Sequence, residues 1–365
     1  MKNALIKSSL LMLMTASASA WAQVSLENVP ATEASDIETI SQLIVKQLAD
    51  EHAAHPDQIV PRDAHPKAHG CVKAEFTVLG GLPPAFANGL FAQPASYKTW
   101  IRFSNGLPPT AKPDWVPDGR GMAVKVIGVK GPKLLPNDEK ETQDFLMINF
   151  PAFFVRNVSD YVQFTTNKAA FLATHLHEAA VASEIGLQIV KNPFHTAYWT
   201  MSPYLMGADS NQAVKFRAKP VGCDGGSVPS DPFFVFGGSI LRQAMIRSMD
   251  QGDECFEFQA QPQLAPVSTP IEDPTISWDD AGAPFTTVAK IRVPKVLNAG
   301  RLGDANAART QFCEDISLTP WHGLVDHRPL GGINRARRTI YNAVSEFRHQ
   351  MNGTQRIEPT GDENL

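Results

Sequence analysis

Arg62 and His65 in RDAHPKAHG, Arg102 and Ser104 in IRFSNG, and Asn149 in NFPAFF are polar residues of types that bind and move protons. Arg337, Tyr341 and Arg348 in RRTIYNAVSEFRH complete the set. The last three matter most, because steps of four and seven residues at ~100° per helical residue return to nearly one face of an α-helix. A phenol flanked by two guanidiniums on one stripe is an unusual way to build a solvated surface. It suits a phenolate held against a ferric ion, since adjacent positive charge favours ionised tyrosine over its usual pKa of ~10. Of the five tyrosines, Tyr341 alone has an arginine four positions before it. Tyrosinate is a known axial ligand of haem iron.

These motifs, in this order, resemble the catalase family, and within it the short bacterial catalase-like haem peroxidases without an extra C-terminal domain. The resemblance runs from about Arg62 to about Arg348. An Arg three residues before the distal His is reproduced by Arg62 and His65, followed by Lys67, Gly70, Phe76 and Val78. The family's Arg-Phe-Ser strand is matched by Arg102, Phe103 and Ser104, and a DPRGFAVK-like segment by DGRGMAVK from Asp118 to Lys125. Asn149, Pro151, Phe153 and Phe154 match the distal Asn pattern, and Arg337, Tyr341 and Arg348 the proximal one. Departures are Phe150 between the distal Asn and the Pro, an imidazole at His69, and Asn342 and Ala343 after the tyrosine. No dinucleotide-binding residues can be matched.

The resemblance implies an α+β fold: an antiparallel eight-stranded β-barrel with surrounding helices, holding haem b between barrel and helices. It makes Tyr341 the axial iron ligand, His65 the acid/base, Asn149 the donor to bound peroxide, and Ser104 the group that orients His65. Arg62, Arg102 and Arg348 become partners for the haem propionates, Phe153 a ring against the porphyrin, and Arg337 the charge that favours the Tyr341 phenolate. The expected activity is decomposition of hydrogen peroxide or organic hydroperoxides, with peroxidase action favoured by Phe150 and an electron donor left unidentified. Two rivals are a haem-dependent fatty-acid hydroperoxide isomerase, which needs an apolar tunnel, and a non-enzymatic haem-binding protein, which needs no distal set. Taken by themselves the residues leave other readings open. His65 and His69, with His52 and His55 nearby, could hold a metal, although Pro66 interrupts a regular helix there and no acidic or cysteine ligand completes the set.

Residues 1–22 read as a secretory signal: Lys2 and Lys7, the apolar LLMLMTASASA, and a small-x-small site at Ala20-Trp21-Ala22 before Gln23. Without the two leader lysines, 31 basic residues face 37 acidic ones, a formal charge of −6. That balance offers nothing to nucleic acid. No later segment reaches the ~18 uninterrupted apolar residues of a membrane span, so stable membrane insertion is not expected. A periplasmic or secreted location follows, with a homo-oligomer possible. Cys71, Cys223, Cys255 and Cys313 contain no Cys-x-x-Cys pair, which argues against a zinc or redox motif and leaves disulfides open.

The elements that must position these residues are legible in outline. SDIETISQLIVKQLADEH reads as a helix, with a Ser35–Glu38 capping box and an apolar stripe of Ile37, Ile40, Ile44 and Leu48. Strand character recurs near residues 75–79, 100–103, 122–127, 145–148, 214–218, 255–259 and 286–293. Helical character covers 159–190, 239–249 and the segment bearing Tyr341. Residues 23–350 read as one domain and 351–365 as a polar, frayed tail. Trp278, His322 and His327, in distinctive motifs without derivable chemistry, take structural roles.

Overall fold

The computed structural model describes residues 26–231, 237–264 and 268–365. The expected signal in residues 1–22 lies outside them. β1 (Ala68–Val78), β2 (Ala95–Asn105), β3 (Arg120–Ile127) and β4 (Thr142–Ile148) form an antiparallel meander. β4 then pairs with the two-residue β5 (Tyr198–Trp199), β5 with β7 (Ala213–Val221), β7 with β8 (Glu254–Pro262), and β8 with β9 (Thr286–Val293). Pairing of β9 with β1 closes an eight-stranded antiparallel barrel, to which β6 (Tyr204–Leu205) adds a short ladder on β7.

The period-2 pattern of the strands decides which residues enter the barrel. Ile101 and Phe103 of β2, Met122 and Val124 of β3, and Phe145 and Met147 of β4 all join the interior cluster. Their neighbours Arg102, Ser104, Gly121, Ala123, Leu146 and Ile148 therefore face outward. The interior is packed solid, not a pore: Phe145 lies 4.8 Å from Phe258 and 5.0 Å from Phe216, and Phe76 lies 5.1 Å from Phe258, centroid to centroid. Ligand space must consequently lie outside the barrel.

Eight α-helices among the described residues surround it. α1 (Glu33–Ala54), α2 (Val158–Thr166) and α8 (Gly332–Asn352) share an apolar cluster of Ile40, Ile44, Val158, Ala336, Ile340 and Val344. α3 (Lys168–Thr174) and α4 (Leu176–Gly186) follow α2, α5 (Ile240–Gln251) precedes β8, and α6 (Lys295–Asn298) and α7 (Ala307–Asp315) follow β9. α8 starts after Gly331, whose φ of 85° leaves its missing Cβ 2.5 Å from the Ile271 carbonyl oxygen, a position only glycine can fill. Arg335 near its start pairs with Glu33 at 2.6 Å and Glu272 at 2.9 Å, and with Glu27 at 2.5 Å, fastening the N-terminal segment to α8.

Several expectations are corrected here. α1 starts at Glu33 behind an N-cap Thr32, and the Ser35 hydroxyl donates to the Thr32 carbonyl, so the Ser35–Glu38 capping box does not form. The C-terminal tail is not frayed: Trp100 Nε1 donates to Glu363, the Lys140 and Glu141 amides to Glu358, and Arg309 to the Leu365 carbonyl. All four cysteines pair, Cys71 with Cys313 and Cys223 with Cys255. Trp278, His322 and His327 are structural as expected. His327 Nε2 accepts the Leu90 amide at 3.0 Å, and Trp278 Nε1 donates to the Pro270 carbonyl.

Candidate active site

A cavity of about 280 Å³ opens between the outward faces of β2, β3 and β4 and one stripe of α8. Ile333, Arg337, Ile340, Tyr341, Val344, Ser345 and Arg348 all line it. Their spacing of four, then alternately three and one, is the signature of a single helix face. Phe153, Phe154, Tyr161 and Phe164 form an aromatic wall, with Phe153 4.2 Å from Phe154 and edge-on to Tyr161 at 5.9 Å. The sequence-predicted residues Arg62, His65, Arg102, Ser104, Phe153, Arg337, Tyr341 and Arg348 thus share one cavity.

His65 sits in the link between α1 and β1, where Pro66 ends any regular run. Its φ of 61° is the only positive value on a non-glycine residue among those described. Such conformations cost free energy and persist where surrounding bonds enforce them. Here the His65 amide donates to the Gly106 carbonyl at 3.0 Å, and Nδ1 lies 2.5 Å from the Asn105 carbonyl oxygen. A carbonyl only accepts, so Nδ1 carries the proton and Nε2 keeps its lone pair. Burial brings the pKa of His65 down to about 4, with Arg102 and Arg337 acting in the same direction against the Asn105 carbonyl and Asp118. A neutral imidazole with one free nitrogen is a proton acceptor at neutral pH.

The expectation that Ser104 orients His65 is corrected: the Asn105 carbonyl holds the ring at Nδ1. The Ser104 hydroxyl lies alongside, because a Cβ at Gly121 would be 2.6 Å from both His65 Nδ1 and Ser104 Oγ. Gly121 is therefore the gap into which ring and hydroxyl fit. Asn149 is buried, and its Oδ1 accepts the Arg120 amide at 2.6 Å, tying β3 to the end of β4. It does not belong to the cavity lining. Two acids inside the matched motifs, to which the sequence assigns no role, do: Asp118, whose Oδ2 accepts the Gly106 and Leu107 amides while its buried Oδ1 has no partner, and Asp63, raised by burial to about 6.

At one end of the cavity Arg62, Arg102 and Arg348 converge. Arg102 Nε donates to Glu314 at 2.9 Å, Arg62 Nε to the same carboxylate at 3.1 Å, and Arg348 Nη2 to the Glu314 carbonyl at 2.7 Å. Burial raises the Glu314 carboxyl, but the charges of Arg102, Arg62 and Arg348 hold it at about 2. Sequence reasoning missed Glu314 because QFCEDIS carries no recognisable spacing. Arg337 donates to Asn334 Oδ1 at 3.1 Å and lies 5.2 Å above the Phe153 ring.

Chemically, this lining fits a flat apolar group with two carboxylates. It offers aromatic and aliphatic walls, two phenols (Tyr161 in the aromatic wall and Tyr341 on the α8 stripe between Arg337 and Arg348), and three guanidiniums suited to carboxylate geometry. It does not offer a free-standing metal site. Among the described residues, metal-ligating atoms cluster only at Glu139, Asp144 and His322. There the Lys125 ammonium already fills the centre, 2.5 Å from Glu139 and 2.8 Å from Asp144. His69, part of the alternative histidine reading, is buried beside Asp114 at 3.6 Å, away from the cavity lining.

No protein-family model matches the chain, and no curated protein does. Solved structures do. A fungal catalase superposes with a TM-score of 0.63 at 14% identity, covering 85% of this chain and 65% of the other. A bacterial catalase gives 0.59 at 14% identity, covering 86% and 63%. Catalase A from Saccharomyces cerevisiae gives 0.59 at 16% identity, covering 86% and 68%. The chain thus spans under two thirds of the length of the fungal and bacterial catalases. At such identities the likeness speaks for architecture, and closed barrel, flanking helices and superposition agree: this chain has the catalase fold.

Proposed function

We propose that this protein is an exported, haem-dependent enzyme that decomposes hydroperoxides and works as a peroxidase with an organic electron donor. The observation that carries the reading is the meeting of Tyr341, His65 and the Arg62–Arg102–Arg348 trio on one cavity, from segments at opposite ends of the chain. Bound haem supplies the iron that exchanges electrons with peroxide and donor. Tyr341 would hold that iron through its phenol oxygen, with Arg337 one turn earlier on the same helix face. Arg62, Arg102 and Arg348 bind the propionates, and Phe153 packs against the ring system.

His65 Nε2 takes the proton of an incoming hydroperoxide and returns it to the departing oxygen, so that water or an alcohol leaves uncharged. Asn149, outside the cavity lining with its Oδ1 on the Arg120 amide, supports the site from behind by holding β3 against the end of β4. Leu107, Phe154, Phe164 and Ile185 make the cavity wall apolar, which favours alkyl or aryl hydroperoxides beside hydrogen peroxide. The same wall supports a second reading, isomerisation of a fatty-acid hydroperoxide, which consumes no donor.

The test is to load the purified protein with hemin and supply hydrogen peroxide or cumene hydroperoxide with a chromogenic donor. Donor oxidation at the expense of peroxide is the expected result. Peroxide loss without donor oxidation or oxygen release would favour the isomerase, and failure to take up hemin would overturn both.

A further inference from the structure

Glu314 touches all three cavity arginines without lining the cavity itself. It stands behind them. Its carboxylate takes Arg102 Nε and Arg62 Nε, while its carbonyl accepts Arg62 Nη2 at 3.2 Å and Arg348 Nη2 at 2.7 Å. Main-chain carbonyls absorb most of the remaining rear-facing donors. Arg62 Nη2 also reaches the Cys313 and Ile316 carbonyls at 3.0 Å each, and Arg102 Nη1 reaches the His65 carbonyl at 2.9 Å. Arg62 Nη1 and Arg348 Nη1 are left with no hydrogen bond to any described residue, on side chains that line the cavity.

The charges are matched as well as the geometry. Three guanidiniums and one carboxylate leave a net of two positive charges, the complement of two carboxylates. The Cys71–Cys313 disulfide ties the residue next to Glu314 to β1, so the support behind the arginines is covalently fixed. The cluster also needs its anion. Burial chiefly, then repulsion from Arg102 and Arg348, brings Arg62 down to about 9, and Glu314 is what opposes that fall.

We infer that Glu314 is a positioning residue for the cofactor: its carboxylate holds Arg62 and Arg102 from behind and its carbonyl holds Arg348, so that the free Nη1 ends of Arg62 and Arg348 meet the two propionates of haem. The inference rests on the haem reading above. It also gives a carboxylate inside a carboxylate-binding site a definite sign. If Glu314 positions the arginines, its removal weakens haem binding; if it merely competes for them, its removal strengthens it.

The experiment is a hemin titration of apoprotein followed by absorbance, repeated with hemin dimethyl ester, in which both propionates are neutral. Wild-type protein should prefer hemin to the ester. Glu314→Gln keeps the shape but removes the charge that aligns the guanidiniums. It should lose about tenfold or more in hemin affinity, the scale of a charge-assisted hydrogen bond, while its ester affinity changes by less than about twofold. Glu314→Asp, which keeps the charge on a shorter arm, should fall between wild type and Gln, and it carries the test if the Gln variant does not fold. Hemin binding by Glu314→Gln as tight as or tighter than wild type would overturn the inference. So would an equal loss for hemin and ester, which would indicate general damage. Equal wild-type affinity for the two ligands would refute propionate recognition while leaving the haem reading intact. No binding of either would remove both.

Discussion

Replacing Gly121 by alanine adds one methyl group at the place where it would most disturb His65. The new Cβ would lie 2.6 Å from His65 Nδ1, 2.6 Å from Ser104 Oγ and 2.9 Å from His65 Cε1. Ordinary carbon contacts settle at ~3.5 Å or beyond, so ring and hydroxyl must each retreat by close to ~1 Å. Ser104 can rotate its hydroxyl aside. His65 has no such freedom, because its amide is bonded to Gly106, its Nδ1 to Asn105, and its backbone is held at a φ of 61°. Overpacking of this size costs about 1–3 kcal/mol of stability, and a ~1 Å misplacement of a catalytic group costs ~10²-fold in rate. Gly121→Ala should therefore fold, keep its hemin affinity within a few-fold, and lose about two orders of magnitude in hydroperoxide turnover. Turnover at the wild-type rate would refute the claim that the position of the His65 ring sets the chemistry.

Other predictions follow from the same geometry. His65→Ala should keep its haem and lose ~10²- to 10⁴-fold in peroxide cleavage, measured by stopped-flow; Asn149→Ala should lose less turnover but melt earlier, because the buried Arg120 amide loses its acceptor at a cost of about 1–3 kcal/mol. Stability of the apoprotein should fall as pH drops from about 6.5 toward 4. Burial depresses His65 and His327 to about 4 and His69 well below the usual histidine value, so the unfolded chain binds more protons in that window. Asp63, raised by burial to about 6, and the raised carboxyls Glu139 and Asp160 act in the opposite sense over this window, so melting temperatures that stay flat or rise on acidification would show that these carboxyls outweigh the buried histidines. Finally, the mature protein should start at or near Gln23 and be recovered from the periplasm with both disulfides formed, as N-terminal sequencing and mass spectrometry of fractionated cells would show; full-length cytoplasmic protein would contradict export.

Much of this architecture was legible because the barrel strands announce themselves by alternation. IRFSN places Ile101 and Phe103 inside and Arg102 and Ser104 outside with no help from tertiary information. The α8 stripe was equally plain, since Arg337, Tyr341 and Arg348 fall on one face by spacing alone. The order of these motifs carried the fold, even though the superposed catalases share only 14–16% identity.

What escaped the sequence depends on contacts between distant segments. Glu314 has a role only because α7 ends beside β1 and β2, and nothing in QFCEDIS predicts that neighbourhood. The cysteine pairing is long-range for the same reason, with Cys71 and Cys313 separated by 242 residues. The sequence points to Ser104 as the group orienting His65 because a side-chain hydroxyl is visible in a sequence, whereas the Asn105 main-chain carbonyl that takes Nδ1 is not. The tail reads as polar and loose until Trp100, Lys73 and Arg309 appear as its partners. Asp63 and Asp118 look like loop acids until the cavity closes over them.

The claim on which the account depends is that Tyr341 binds haem iron from α8. The most direct measurement is the absorption and electron paramagnetic resonance spectrum of hemin-loaded wild type beside Tyr341→Phe, whose ring fills the same space without the oxygen. The account predicts a high-spin ferric signature in wild type that is lost or altered in the variant, with hemin bound weakly or released on gel filtration. Identical spectra and undiminished retention of hemin in Tyr341→Phe would contradict it and assign the iron to another residue.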